Sequence, residues 1–437
     1  MAGHPFRNRV LVAACAALAC VFFAGASYAD ETCNSPYMSK LIKGQEDYVY
    51  VWTLGVEGVG DGSDKLVTVD VHPKSKSYGK VINSVSIGSR NEAHHMGFTD
   101  DRRFLWAGGL SDSKIYVFDI ATDPAKPRLA RTIADLGERT GYLGPHTYYA
   151  LPGRMLVQAL SNTKDKSGVT GMAVYNNKGE YITSYAMPTE GGGDGYGYDL
   201  AVNPKKNVLL TSSFTGYTNY MRPLGELVQD AEAMKRFGAT MAAWDLKAMK
   251  PTKIFSVPGA PLEIRWSLAP ADNWAVTAAA LTSKIWLIKQ DAAGAWQAKD
   301  VATIGDPAKI PLPVDISITR DGKGLWVNTF MDGTTRYFDL SNPEAPKQTY
   351  AKVTGKQVNM ISQSWDGKRI YMTSSLTSHW DKKGADNEQK LQAFNWDGRA
   401  LTPAFDVDFT KEKLGRPHHM KFTAKPGQTL ALAAARE

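Results

Sequence analysis

Val314-Asp-Ile-Ser-Ile-Thr-Arg-Asp-Gly-Lys-Gly-Leu-Trp-Val-Asn-Thr-Phe, continued by Thr335-Arg-Tyr-Phe-Asp and Gln348-Thr-Tyr, is the stretch that decides the fold. It reads as a short strand, an Asp turn, a second strand, a polar gap, a third strand ending in Asp-Leu, a Pro-rich turn and a fourth strand. The same unit runs from His94 through Leu105-Trp-Ala and Ile115-Tyr-Val-Phe-Asp to Leu129-Ala-Arg-Thr-Ile. Outward from these two copies, first strands begin near His94, His146, Asp199, Glu263, Asp315, Gln363 and His418, at separations of 52, 53, 64, 52, 48 and 55 residues. Four short strands at such a period are the arithmetic of a β-propeller blade. The long unit carries an insertion, Thr215 to Arg236, whose Leu224, Leu227, Val228 and Met234 predict a short surface helix.

The unit opening at His418 runs out of chain before a blade is complete. Strands around Tyr48–Leu54, Leu66–Val71 and Val81–Ile87 supply what it lacks. One blade is therefore shared by the two chain ends, which closes the ring and removes its edges. The expected architecture is an all-β, seven-bladed β-propeller over residues 48–437. It is preceded by a secretory signal (residues 1–29) and an N-terminal extension (residues 30–47).

The signal is read from Arg7 and Arg9, the apolar run Val10 to Ala26, and the small-x-small site Ser27-Tyr-Ala before Asp30. A lipoprotein reading at Cys20 is weak, because Val21-Phe-Phe continues the apolar run. No later stretch has the roughly 18 apolar residues needed to cross a bilayer, so a periplasmic, membrane-free protein is expected. Losing the two leader arginines lowers the formal charge from +7 to +5. The basic residues are scattered and form no nucleic-acid motif, so a nucleic-acid partner is not expected; self-association into a homo-oligomer is left open. Cys15 and Cys20 leave with the signal, and Cys33 alone forms neither an internal disulfide nor a cysteine metal cluster.

Of eight histidines, His4 lies in the signal, His72 in a turn and His379 in a loop. The other five occupy Glu92-Ala-His-His-Met-Gly-Phe, Gly144-Pro-His-Thr-Tyr-Tyr and Arg416-Pro-His-His-Met-Lys-Phe, and each motif opens the first strand of a unit. First strands line a propeller's central channel. Ring closure then makes the units opening at His418, His94 and His146 consecutive blades. Such a cluster suits a first-row metal, because neutral imidazole ligates Zn, Cu, Fe or Ni. Hydrogen bonding across a wet channel is the competing reading. Adjacent histidines also alternate faces on a regular strand, so His94 and His95 both serve as ligands only if the strand is irregular there. The equivalent starts elsewhere are acidic: Asp199, Glu263 and Asp315. They read as channel solvation or as partners of Arg265, or, in a lactonase-like alternative, as an oxygen-rich calcium site. Gly191-Gly-Gly-Asp-Gly-Tyr-Gly lacks the strand-to-helix setting of a phosphate loop and reads as a flexible inter-blade loop.

These residues also carry a family resemblance. Val67-Thr-Val-Asp-Val-His-Pro-Lys-Ser, Glu92-Ala-His-His-Met-Gly, Ser113-Lys-Ile-Tyr-Val-Phe-Asp, Pro261-Leu-Glu-Ile-Arg, Ser364-Trp-Asp-Gly-Lys-Arg-Ile-Tyr-Met-Thr-Ser-Ser-Leu, His379-Trp-Asp-Lys and Leu414-Gly-Arg-Pro-His occur in the order found in the selenium-binding protein family. The chain resembles that family over nearly everything after Cys33. The resemblance implies a seven-bladed propeller and a copper-dependent oxidase that converts methanethiol, O2 and water to formaldehyde, hydrogen sulfide and hydrogen peroxide. It implies His94, His95, His146 and His418 as copper ligands. His419 stands where relatives often carry an acid and ranks below them. Glu92 is a candidate catalytic residue, orienting an imidazole or relaying a proton. Thr53 falls where relatives carry a cysteine linked to selenium, and the cysteine-containing tail of many members is missing. The alternative is a periplasmic selenium or metal carrier without turnover; both departures weaken its selenium form and leave the histidine chemistry intact.

Overall fold

The computed structural model describes residues 45–267, 272–319 and 321–425, besides Met1. The leader, Cys33 and the C-terminal tail lie outside the described residues. Among the described residues, twenty-eight strands form seven four-stranded antiparallel sheets. Six blades are continuous in sequence. Their innermost strands are Ala93–Phe98, Tyr142–Leu151, Leu200–Asn203, Pro261–Trp266, Pro313–Ile318 and Ile361–Gln363. The seventh sheet has the order Arg416–Thr423, Tyr48–Leu54, Lys65–Asp70, Val81–Ser86. Its closing register pairs Val49 with Phe422 and Val51 with Met420. The ring is thus fastened by its two ends, as the repeat pattern predicts.

The Asp turns recognised in the sequence have a common construction. In Thr99/Asp101, Thr319/Asp321 and Ser364/Asp366 the hydroxyl donates to the carboxylate at 2.6 Å. The same carboxylates accept the backbone N–H of Arg103, Lys323 and Lys368 at 3.0 Å. These are Asx turns, which explains why Asp recurs there. Gly322 and Gly367 supply the left-handed residue that the turn needs, at φ +73° and +71°.

Blades pack face to face through residues pointing out of their second and third strands. Trp106, Ile115 and Val117 of one blade meet Tyr148, Met155 and Val157 of the next. Trp52, Trp106 and Trp326 are completely buried. Truncating such a side chain to Ala costs roughly 3–5 kcal/mol. The outermost strands are solvated, as the mostly exposed Arg128–Ile133 shows.

Three expectations need adjustment. The insertion forms three one-turn helices, Tyr217–Tyr220, Leu224–Leu227 and Ala231–Met234. Tyr220, Leu227 and Ala233 are buried in an apolar cluster with Tyr198, Leu262, Val314 and Trp380, so the insertion roofs the channel instead of lying on the surface. The sixth blade begins earlier than the polar Gln363 suggested, because Ile361–Gln363 is its whole inner strand. The glycine-rich segment does join two blades, but Asp194 pins it by accepting the N–H groups of Ala239 and Thr240 at 2.8 and 3.0 Å. Among the described residues no helix is long and apolar enough to cross a membrane.

Candidate metal centre

The inner strands share a local irregularity that places the site. In the Ala93–Phe98 strand, Ala93 pairs with Gly109 but Met96 pairs with Ala107, so His94 and His95 together oppose Gly108. This is a β-bulge, two residues against one, and it turns both side chains toward the channel. Pro145/Tyr148, Pro261/Ile264, Pro313/Asp315 and Pro417/His419 show the same shift. Alternation is broken where the chemistry sits, and the adjacent histidines share one side.

Matching the five bulges, and taking the residues just ahead of Leu200 and Ile361 on the other two blades, aligns two tiers around the ring. The tier nearer the roof holds His418, His94, His146, Tyr198, Leu262, Val314 and Asn359. The tier beneath holds His419, His95, Thr147, Asp199, Glu263, Asp315 and Met360. The His94 and His418 rings stack at 3.9 Å, and those of His95 and His146 lie 4.0 Å apart. His94 and His95 stack at 4.7 Å, nearly parallel, and His95 stacks on His419 at 4.6 Å. One nitrogen from each of His94, His95 and His146 falls within 4.8 Å of the other two.

The protonation pattern favours cation binding. Burial first, then the neighbouring imidazoles, holds His94 and His95 well below their ordinary pKa. Burial does the same for His146 and His419, and lowers His418 to about 3. Neutral imidazole is the form that ligates metals. The second nitrogens are held as well. His418 Nδ1 donates to the Ser375 carbonyl at 2.9 Å, and the Asn359 amide donates to the same oxygen at 2.5 Å. Thr147 Oγ1 lies within donating distance of Tyr198 O (3.0 Å) and Asp199 Oδ1 (3.2 Å). A hydroxyl has a single proton, so its oxygen is then the acceptor for His146 Nδ1–H at 3.0 Å. Both contacts leave the Nε2 lone pair available, and second nitrogens fixed in this way orient ligand imidazoles. On His94, His146 and His418 a buried ring nitrogen has no hydrogen-bond partner in the protein: Nδ1, Nε2 and Nε2 respectively. Unpartnered buried polar atoms are costly, and two of these three residues, His94 and His146, belong with His95 to the group whose nitrogens lie within 4.8 Å of one another, an arrangement that fits an ion.

The acidic side is organised around Arg265. Its guanidinium reaches Glu263 at 3.0 Å, Asp315 at 3.1 Å and Asp199 at 3.3 Å, all buried. Burial raises all three carboxyl pKa values, Asp315 to about 7, against the lowering by Arg265. The Asp199 and Asp315 oxygens are engaged by the guanidinium and by backbone N–H groups, Ile264 N–H donating to Asp199 and Ile361 N–H to Asp315, whereas Glu263 Oε1 has no hydrogen-bond partner. An arginine at the centre does not suit a calcium site. Glu263 Oε1 also lies 3.8 Å from His95 Nε2, linking the two sides.

Glu92, at φ +54°, directs its carboxylate to Ser378, accepting the N–H at 2.6 Å and the hydroxyl at 2.5 Å. It clasps the Ser374–Gln389 loop of the sixth blade to the first blade. Burial raises its pKa to about 7. His379, set aside as a loop residue, accepts Leu224 N–H on its carbonyl at 3.3 Å and so joins that loop to the insertion. Together the two segments cover an apolar chamber of about 30 Å³ over His94, lined by Tyr198, Leu262, Val314, Tyr220 and Trp380. Tyr198, Asn359, Thr147 and Trp380 were not singled out from the sequence. The bulge alignment finds the first three; Trp380 stands beside His379 in a quoted motif.

The model of the 56 kDa selenium-binding protein family matches residues 28–427. The chain belongs to the selenium-binding protein family. It is 64% identical to a methanethiol oxidase of a Hyphomicrobium species, over 96% of each chain. It is 56% identical to a methanethiol oxidase of Ruegeria pomeroyi, over 91% of this chain and 93% of the relative. A hypothetical selenium-binding protein from Sulfolobus tokodaii has a similar structure, with a TM-score of 0.76, 25% identity, and 90% of this chain and 96% of that one covered. Thr53 does stand buried in the closing blade, where it donates to the Val51 carbonyl.

Proposed function

We propose that this protein is a methanethiol oxidase that converts methanethiol, O2 and water to formaldehyde, hydrogen sulfide and hydrogen peroxide, using copper bound by histidines. The carrying observation is the convergence of one neutral imidazole nitrogen from each of His94, His95 and His146 within 4.8 Å, beside an apolar chamber, in a chain so similar to proteins bearing that name. His94, His146 and His418 would hold the ion, His95 would complete the set, and His419 stacks behind it. When bound, copper supplies redox activity and the positive charge that makes a thiol acidic.

The chain's own residues do the rest. Thr147 and the Ser375 carbonyl fix the tautomers of His146 and His418. The roof excludes water from a small apolar substrate, which strengthens electrostatic interactions within. The Asp199–Glu263–Asp315 cluster, with Asp315 near pKa 7, can take up and return a proton close to neutrality. Glu92 touches neither imidazole nor chamber through its carboxylate; its part is to hold the roof loop. Residues 1–29 act as an export signal, so the reaction runs in the periplasm.

The test is copper content together with methanethiol-dependent O2 uptake and peroxide formation. His146→Ala should lose both metal and turnover. Full activity in a protein stripped of metal would overturn the reading.

A further inference from the structure

We infer that the roofed chamber is a size filter for short, uncharged thiols, with Leu262 and Val314 as its specificity-determining residues. The inference rests on the oxidase reading and adds where the alkyl group goes. Leu262 and Val314 occupy the upper tier on the fourth and fifth blades, the same ring position that carries His94 and its neighbours. A molecule in the chamber therefore lies between an imidazole face and an aliphatic face.

Two observations set its chemistry. The wall is overwhelmingly apolar: besides Leu262 and Val314 it contains Phe214, Phe237, Leu312 and Leu376. No Lys, Arg, Asp or Glu is among the lining residues, so a thiol bearing a carboxylate or ammonium would be desolvated without compensation. Trp380 Nε1 and Tyr220 Oη, both buried and both on lining residues, have no hydrogen-bond partner in the protein.

The volume sets its length. Seating one water takes roughly 10–15 Å³ on this measure. About 30 Å³ thus matches a molecule of two heavy atoms, the size of methanethiol, and each added methylene must displace wall. Methylene-sized misfits change specificity roughly 10- to 200-fold.

The experiment compares methanethiol, ethanethiol and butanethiol with the intact protein, its Val314→Ala and Leu262→Ala variants, and the opposite change, Ala280→Val, which fills the chamber from another lining position. kcat/KM is measured with copper content and melting temperature alongside. Val314→Ala and Leu262→Ala should raise the butanethiol-to-methanethiol ratio about 10-fold or more. Ala280→Val should lower the ethanethiol-to-methanethiol ratio. Unchanged ratios in folded, metal-loaded variants would overturn the inference while leaving the oxidase reading in place. If wild type does not oxidise methanethiol, the oxidase reading fails, and the filter is read from binding instead. Each thiol's shift in melting temperature on metal-free protein should show the same length limit, relaxed in the Ala variants; no preference for short thiols there overturns it.

Discussion

The two sides of the channel differ in chemistry although their backbones are alike. On three consecutive blades the start of the inner strand presents imidazoles; on the next three it presents a tyrosine and two aliphatic residues above three carboxylates. The imidazole side is left with unpartnered ring nitrogens, whereas on the acidic side Arg265 gathers the three carboxylates and only Glu263 Oε1 turns toward the histidines. The propeller supplies seven equivalent positions, and residue identity alone makes one side receptive to a cation and the other self-contained. Function in such folds is a property of the site and not of the architecture.

The comparison is broken most drastically from the imidazole side. His146→Ala should abolish metal retention and thiol oxidation together, measured by metal analysis and O2 uptake; separation of the two losses would mean that turnover does not need the ion. On the other side, Arg265→Ala leaves three buried carboxylates around an empty centre. Removing one partner of a buried ion pair costs about 3–5 kcal/mol, so the denaturant midpoint should fall sharply. A small change would show that the carboxyls already carry enough protons to do without the arginine.

Thr147→Val and Asn359→Leu sharpen the contrast, because they alter what holds His146 and His418 without touching a ligand nitrogen. Each should weaken metal affinity by about 10- to 100-fold with little loss of stability, as seen by competition titration and thermal melting. The smallest effect concerns pH. Asp315 has its pKa raised from 3.8 to about 7, so the folded protein holds a proton that the unfolded chain has lost. Its contribution to stability is complete below pH 4 and declines as pH rises to 7. Melting temperatures across that range should therefore slope downward, and Asp315→Asn should flatten the slope.

Much of this was legible in the sequence, and for stated reasons. Asx turns, period-2 strands and a repeating third strand ending in Asp are local signals, so six blades and the shared seventh could be counted. The histidines could be grouped because ring closure is a topological consequence of that count. The bulge was not legible: it depends on pairing across strands, and it is what lets His94 and His95 act together. For the same reason Asn359 was missed, since it lies ahead of the first regular residue of the sixth blade. The roof was missed because Leu224 and Leu227 look alike whether they cover a surface or a channel. Glu92 reads as orienting an imidazole or relaying a proton, but its carboxylate goes instead to Ser378, 286 positions away.

The pairing of Arg416–Thr423 with Tyr48–Leu54 has one more consequence, in the order of assembly. His418, and the Ser375 carbonyl that fixes it, come from the last third of the chain, while His94 and His146 come from the first. A chain emerging from a ribosome or a translocation pore has no complete centre until its final strand has docked. On the copper reading, capture by the full histidine set is thereby tied to ring closure, because a half-made chain lacks His418.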